Sequence, residues 1–186
     1  MRHYGDNKHM NDKTLQRKSK YLSLILRHKP EVAGIALDKY GWAPVNDIVK
    51  ALDIDLETLK CIVRTDSKQR YSFNEDQTKI RANQGHSIKV DVGLKEATPP
   101  DILYHGTGTK SLSGIDKTGI TKQSRQYVHL SKDTDTAMKV GMRHGNPTIL
   151  EIDCKEMLKD GYKFYLSENG VWLTDIVPIK YIINFR

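Results

Sequence analysis

Tyr71-Ser72-Phe73-Asn74-Glu75-Asp76-Gln77-Thr78-Lys79-Ile80-Arg81-Ala82 breaks with everything that precedes it. Its ends, Tyr71-Ser72-Phe73 and Ile80-Arg81-Ala82, flank the turn-rich Asn74-Glu75-Asp76-Gln77, as the two strands of an antiparallel hairpin would. Upstream the apolar period is helical. From Thr14, the residues Leu15, Leu22, Ile25 and Leu26 fall on one stripe of a helix that stops near His28, because Pro30 cannot continue it. Asn46 reads as the N-cap of a short second helix carrying Asp47, Ile48, Val49 and Leu52. Asp55 reads as the cap of a third, through Leu56, Leu59, Ile62 and Val63.

Three short helices followed by a hairpin resemble a winged helix. That architecture often binds nucleic acid and elsewhere is a protein-contact module, so it does not fix a function by itself. Around residues 93–101 both periodicities lapse, and Thr98-Pro99-Pro100 reads as a stiff linker. The expected organisation is a frayed arm at 1–13, a first lobe at 14–95 and a second at 101–186. The second half alternates short helices with strand candidates at 102–104, 126–130, 148–152, 171–173 and 179–185, which argues for an α+β lobe.

Composition narrows the class. The 186 residues are 38% hydrophobic and 28% charged, the balance of a globular chain rather than a disordered one. No apolar run approaches the roughly 20 residues that cross a bilayer. The polar N-terminus does not read as a secretory signal, so a cytoplasmic protein is expected. Cys61 and Cys154 are far apart in apolar periodic segments, the pattern of small buried thiols in a reducing compartment rather than a disulfide. Thirty Lys plus Arg against 23 Asp plus Glu give a net charge of +7, which favours a polyanionic partner.

Several familiar signatures fail. Gly106-Thr107-Gly108-Thr109-Lys110-Ser111 has neither the Walker phosphate-loop spacing nor that of Gly-x-Gly-x-x-Gly, since Ser111 stands at the last glycine. No Gly-x-Ser-x-Gly elbow occurs. The seven histidines show no close ligand pairing, so no metal site is expected. What stands out is cationic: Arg27-His28 at a helix end, Lys68-Gln69-Arg70 before the hairpin, and Ser124-Arg125 before the strand that holds His129. Each has a bland reading. Cations at a helix C-terminus are favoured by the macrodipole, and the other two suit a solvated surface. His105-Gly106-Thr107, read as following a strand, would let the Gly106 backbone approach a flat ligand while its neighbours hydrogen-bond sugar hydroxyls. Ser131, after His129-Leu130, reads as a cap for a helix running from Asp133 toward His144.

Taken in order, six blocks go further. They are Leu22-Ser23-Leu24-Ile25-Leu26-Arg27-His28-Lys29-Pro30, Lys68-Gln69-Arg70-Tyr71-Ser72, Ile80-Arg81-Ala82-Asn83-Gln84-Gly85-His86-Ser87, Leu103-Tyr104-His105-Gly106-Thr107, Arg125-Gln126-Tyr127-Val128-His129-Leu130-Ser131 and Glu168-Asn169-Gly170-Val171-Trp172-Leu173-Thr174. Together the blocks closely resemble the RNA 2′-phosphotransferase family, also called tRNA 2′-phosphotransferases, in family order over roughly 14–185. The resemblance implies a winged-helix-like first lobe and a second lobe of the ADP-ribosyltransferase fold, with NAD⁺ bound between or beside them. It places the family's catalytic set on Arg27, His28, Arg70 and Arg125, and its NAD⁺ contacts on His105, Gly106, Thr107, His129 and Ser131. Many members carry His where this chain has Tyr127. The Val140-Gly141-Met142-Arg143-His144-Gly145 block is also family-like, without a role for Arg143.

The implied reaction removes an internal 2′-phosphate from RNA, of tRNA type, by passing it to ADP-ribose through a 2′-phospho-ADP-ribosylated RNA. Its products are 2′-hydroxyl RNA, ADP-ribose 1″,2″-cyclic phosphate and nicotinamide. NAD⁺ is consumed as co-substrate, RNA is the partner, and no membrane or obligate protein partner is implied. A phosphate nucleophile is ionised at neutral pH, so the first step needs positioning and charge management, for which guanidinium groups are suited. The second step needs fixed cations and a proton donor, for which His28 is the candidate. Two other readings stand beside this one: a transferase that stops at a stable ADP-ribosylated acceptor, and a non-enzymatic RNA-binding module that senses NAD⁺.

Overall fold

The computed structural model describes residues 12–185. These form two compact units, the first ending at Ala82 and the second beginning at Asn83. The whole is α+β, with small sheets.

The first unit opens with α1 (Asp12–Arg27), so the helix begins two residues before the expected Thr14. Of the expected N-terminal arm, residues 1–11 lie outside the described residues. Leu22, Ile25 and Leu26 are fully buried on the predicted stripe. The helix ends because Pro30 starts a 3-10 turn, Pro30–Ala33, and both His28 and Lys29 donate their backbone N–H to the Leu24 carbonyl. β1 (Ala43–Pro44) leads straight into α2 (Val45–Leu52). Asn46 is not the cap. Pro44 holds that position with no side-chain cap bond, while Val45 N–H is satisfied by the Thr78 carbonyl at 2.9 Å, placing Asn46 inside the first turn. α3 (Leu56–Thr65) has the expected cap, with Asp55 accepting from Thr58 N–H at 2.7 Å. The hairpin forms as read. β2 (Tyr71–Phe73) and β3 (Lys79–Ala82) pair antiparallel with Ser72 opposite Arg81, and the sheet order is β1-β3-β2. Tyr71, Ile80 and Ala82 face a core that includes Leu22, Ile48 and Leu59.

The second unit starts well before the expected linker. β4 (Lys95–Glu96) pairs with β9 (Phe164–Leu166), Ala97 N–H bonds the Phe164 carbonyl, and Pro99 is buried. Backbone pairing ties residues 95–97 to β9, so Thr98-Pro99-Pro100 is part of this unit, which begins at Asn83. β5 (Ile102–Gly108) is longer than the three residues predicted, pairing along its whole length with β8 (Pro147–Asp153). On the far side of β8 lies β12 (Ile182–Phe185). Residues 179–181 of the last predicted strand form a 3-10 turn after Pro178, with the Tyr181 ring edge-on to Tyr162. The second sheet runs β4-β9-β10-β7, with β7 at Val128–Leu130 and β10 at Trp172–Thr174. A two-stranded pair joins β6 (Ile120–Thr121) to β11 (Ile176–Val177).

Three helices pack on these sheets: α4 (Leu112–Thr118), α5 (Thr134–Gly141) and α6 (Cys154–Lys159). The cap of α5 is Asp133, which accepts from Thr136 N–H at 2.7 Å. Ser131 instead forms a two-bond backbone bridge with Tyr104. Cys154 is buried at the start of α6, and burial pushes its thiol up to about 12, whereas Cys61 is half-buried. Among the described residues no helix is long and apolar enough to cross a membrane.

Candidate functional site

In the first unit, Arg27 is the last residue of α1 and is buried, with only 8% of its surface exposed. His28 follows it, half-buried. Arg70 stands immediately before β2, whose first residue, Tyr71, donates its hydroxyl to the Ser19 carbonyl on α1 at 2.9 Å. The phenol of Tyr71 is a shared reference point. Burial pushes it above the ordinary tyrosine value, while the hydrogen bonds to Ser19 and Ser23 and the positive charges of Arg27 and Arg70 act the other way. Two arginines from separate elements, distant in sequence, therefore converge on one tyrosine.

Arg70 is held in place by a residue to which the sequence reading assigned no role. Asp66, the C-cap of α3, accepts the Arg70 backbone N–H through one carboxylate oxygen at 2.6 Å and pairs with its guanidinium through the other. Only an Asp four residues before the arginine signals this, and an Asp at a helix end is common for turn reasons alone.

Arg125 and the five expected cofactor contacts belong to the second unit. Arg125 is exposed in the turn before β7, its N–H bonded to the Lys122 carbonyl at 3.0 Å. His105, Gly106 and Thr107 do not follow β5; they lie within it. The close approach that Gly106 permits is to a helix, since a Cβ there would stand 1.7 Å from the Ala137 carbonyl oxygen of α5. Gly108 makes the same concession to the His144 carbonyl, at 2.3 Å. Arg143, beside His144 in the 3-10 turn Met142–His144, is exposed.

The two histidines are linked. His105 Nδ1 lies 3.0 Å from the His129 carbonyl oxygen, which only accepts, so Nδ1 carries the proton and Nε2 is left as an acceptor. Burial lowers the His105 pKa, the bond to His129 raises it, and the nearby His144 lowers it, for a net shift downward. His105 is accordingly a neutral imidazole presenting a lone pair. His129 in turn donates Nε2–H to Gln84 Oε1 at 2.7 Å. Gln84, His86, Gln126, Tyr127 and His129 line one small pocket, where Gln126 Nε2 donates to the Val90 carbonyl at 3.0 Å and Tyr127 packs on Tyr165 at 5.5 Å. The sequence reading gave Gln84 no role, because its partner is 45 positions away. Among the described residues no group of three or more His, Cys, Asp or Glu is placed to hold a metal ion.

Two arginines whose charges act on one tyrosine, with His28 next to Arg27 in the chain, are suited to a phosphate-bearing substrate. The second unit offers a neutral imidazole acceptor at His105, the buried Thr107 and, in the small pocket, the amides of Gln84 and Gln126, all groups suited to a polyhydroxylated ligand. Comparison with known proteins agrees with that chemical class. The family model described as RNA 2′-phosphotransferase, Tpt1 / KptA family, matches residues 13–176. A protein of Fusobacterium nucleatum named probable RNA 2′-phosphotransferase is 57% identical over 169 residues, covering 88% of this chain and 94% of that protein. Proteins with the same name from Flavobacterium johnsoniae and Acaryochloris marina are 52% and 47% identical over 178 residues, each covering 93% of this chain and 98% of the relative. The chain belongs to the RNA 2′-phosphotransferase family, a family of transferases.

Proposed function

We propose that the chain removes an internal 2′-phosphate from RNA of tRNA type in an NAD⁺-dependent transfer to ADP-ribose, in the cytoplasm. The observation that carries the reading is the family match across 13–176, which includes Arg27, His28, Arg70 and Arg125. In this reading the first unit is the winged-helix-like lobe, consistent with its order of helix, strand, two helices and hairpin. The second is the ADP-ribosyltransferase-like lobe.

Arg27 and Arg70 of the first unit, whose charges both act on Tyr71, hold the 2′-phosphate, and Arg125 of the second unit is the remaining cation of the catalytic set. His105 Nε2 accepts from a ribose hydroxyl of NAD⁺, and the Thr107 hydroxyl, His129 and the Ser131 hydroxyl complete the contacts to that second substrate. Gly106 contributes by keeping β5 close to α5. Of these contacts His129 lines the small pocket whose apolar wall is Val92, Leu94 and Leu173, and such hydrogen-bonding groups beside apolar ones suit a nucleotide. A phosphate oxygen held by the arginines forms a bond to the ribose carbon that carries nicotinamide, which leaves with the bonding electrons. A ribose hydroxyl then gives its proton to solvent as it forms the new bond to phosphorus, and the bond from phosphorus to the RNA 2′-oxygen breaks. His28 gives that oxygen its proton. The arginines stay charged throughout and stabilise the crowded phosphorus centre.

The test is incubation with an RNA oligonucleotide bearing one internal 2′-phosphate, with and without NAD⁺, followed by mass analysis. The expected outcome is NAD⁺-dependent loss of phosphate together with a cyclic ADP-ribose phosphate. RNA that stalls as the ADP-ribosylated adduct makes the chain a simple transferase, and unchanged RNA sinks the reading.

A further inference from the structure

The turn from Asp66 to Arg70 is organised by one carboxylate. The Asp66 side chain is only 5% exposed, although it carries a charge. One of its oxygens takes the Arg70 backbone N–H at 2.6 Å, and the other takes a guanidinium Nη1 hydrogen. Its own carbonyl accepts from Gln69 N–H at 2.8 Å, with Gln69 held in the left-handed region at φ +43°. A non-glycine residue stays in that conformation only where its surroundings impose it. Asp66 therefore sets both where the Arg70 side chain begins and where it ends.

We propose that Asp66 is a positioning residue that aims the Arg70 guanidinium at the RNA 2′-phosphate. This rests on the assignment of Arg70 to that phosphate. A free arginine samples many rotamers and loses that freedom when it grips an anion. One already tied at Nη1 still offers Nε and Nη2 to the phosphate with less left to lose. The carboxylate also offsets part of the Arg70 charge, so its contribution is orientation rather than attraction. Misplacing a contact by about 1 Å costs on the order of a hundredfold in rate.

The experiment is a double-mutant cycle on the full chain, read by turnover of the 2′-phosphorylated oligonucleotide. Asp66→Ala is expected to lower kcat by roughly 10- to 100-fold with KM for NAD⁺ unchanged. Asp66→Asn, which keeps one acceptor oxygen, is expected to recover part of that loss. If Asp66 acts through Arg70, then Asp66→Ala with Arg70→Ala turns over no more slowly than Arg70→Ala alone. Should Asp66→Ala fail to fold, the cycle is run with Asp66→Asn. Wild-type turnover in the Asp66 variants beside a crippled Arg70→Ala overturns this inference alone, as does a double mutant whose losses add. Wild-type turnover in Arg70→Ala overturns the phosphate assignment itself, and this inference with it.

Discussion

His105 shows how one hydrogen bond fixes the state of a side chain. The carbonyl of His129 selects its tautomer, and burial, with His144 nearby, keeps it neutral. Because its folded pKa lies below the ordinary imidazole value of about 6.5, the unfolded chain takes up a proton first as pH falls. In that window the unfolded state binds more protons, so stability rises with pH and is lost on acidification from about 6.5 down through the folded value. The stabilising contribution is fully present above about pH 6.5. Thermal melts from about pH 7.5 down to about pH 5 are therefore expected to show a smaller loss of Tm in His105→Asn than in the wild type. The asparagine amide still donates to the His129 carbonyl but takes up no proton. Equal losses in the two proteins would show that His105 does not titrate as described.

The junction of α5 with β5 is made by missing side chains. Gly106 meets the Ala137 carbonyl and Gly141 meets the Thr107 carbonyl, so strand and helix touch backbone to backbone. Gly106→Ala puts a methyl 1.7 Å from an oxygen of the helix backbone, and α5 has to move away. A loss of about 3 kcal/mol, at the upper end for overpacking, is expected in denaturant unfolding. Gly141→Ala is milder, because its Cβ stands 2.9 Å from the Thr107 oxygen and the helix itself gains roughly 1 kcal/mol from alanine. A Gly141→Ala loss as large as that of Gly106→Ala would show that the contact is not set by those distances. None of this junction was visible in the sequence, where His105-Gly106-Thr107 read as a strand end. The elements that were legible repeat a period or carry a local signal: α1 over four turns, the Asp55 cap, the hairpin around Asn74. Strands of two residues, such as β4, β6 and β11, hold no period to read. The candidate site was legible only through blocks of residues in family order. Asp66 and Gln84 were missed because what they do is decided by a partner the fold brings to them.

Across the whole molecule the proposed chemistry divides unevenly. Arg27, His28 and Arg70 belong to the first unit, whereas Arg125 and all five NAD⁺ contacts belong to the second. Each unit has its own buried core, and the contacts proposed for the RNA phosphate through Arg70 and for NAD⁺ through His105 fall in different units. Binding energies for the two substrates should then separate by unit when titrated calorimetrically on the full chain. Arg70→Ala, measured with NAD⁺ alone, is expected to leave Kd within about twofold of wild type. His105→Ala is expected to raise it by roughly tenfold, the effect of losing one hydrogen bond of about 1.4 kcal/mol. With a non-reacting RNA that carries the 2′-phosphate the order reverses. Arg70→Ala weakens binding because a charged contact to phosphate is gone, and His105→Ala does not. The net charge of +7 adds a salt-dependent background to RNA binding alone, so the comparison belongs at one fixed ionic strength. If Arg70→Ala weakened NAD⁺ as much as His105→Ala does, that arginine would be a dinucleotide contact and the phosphate would need another holder.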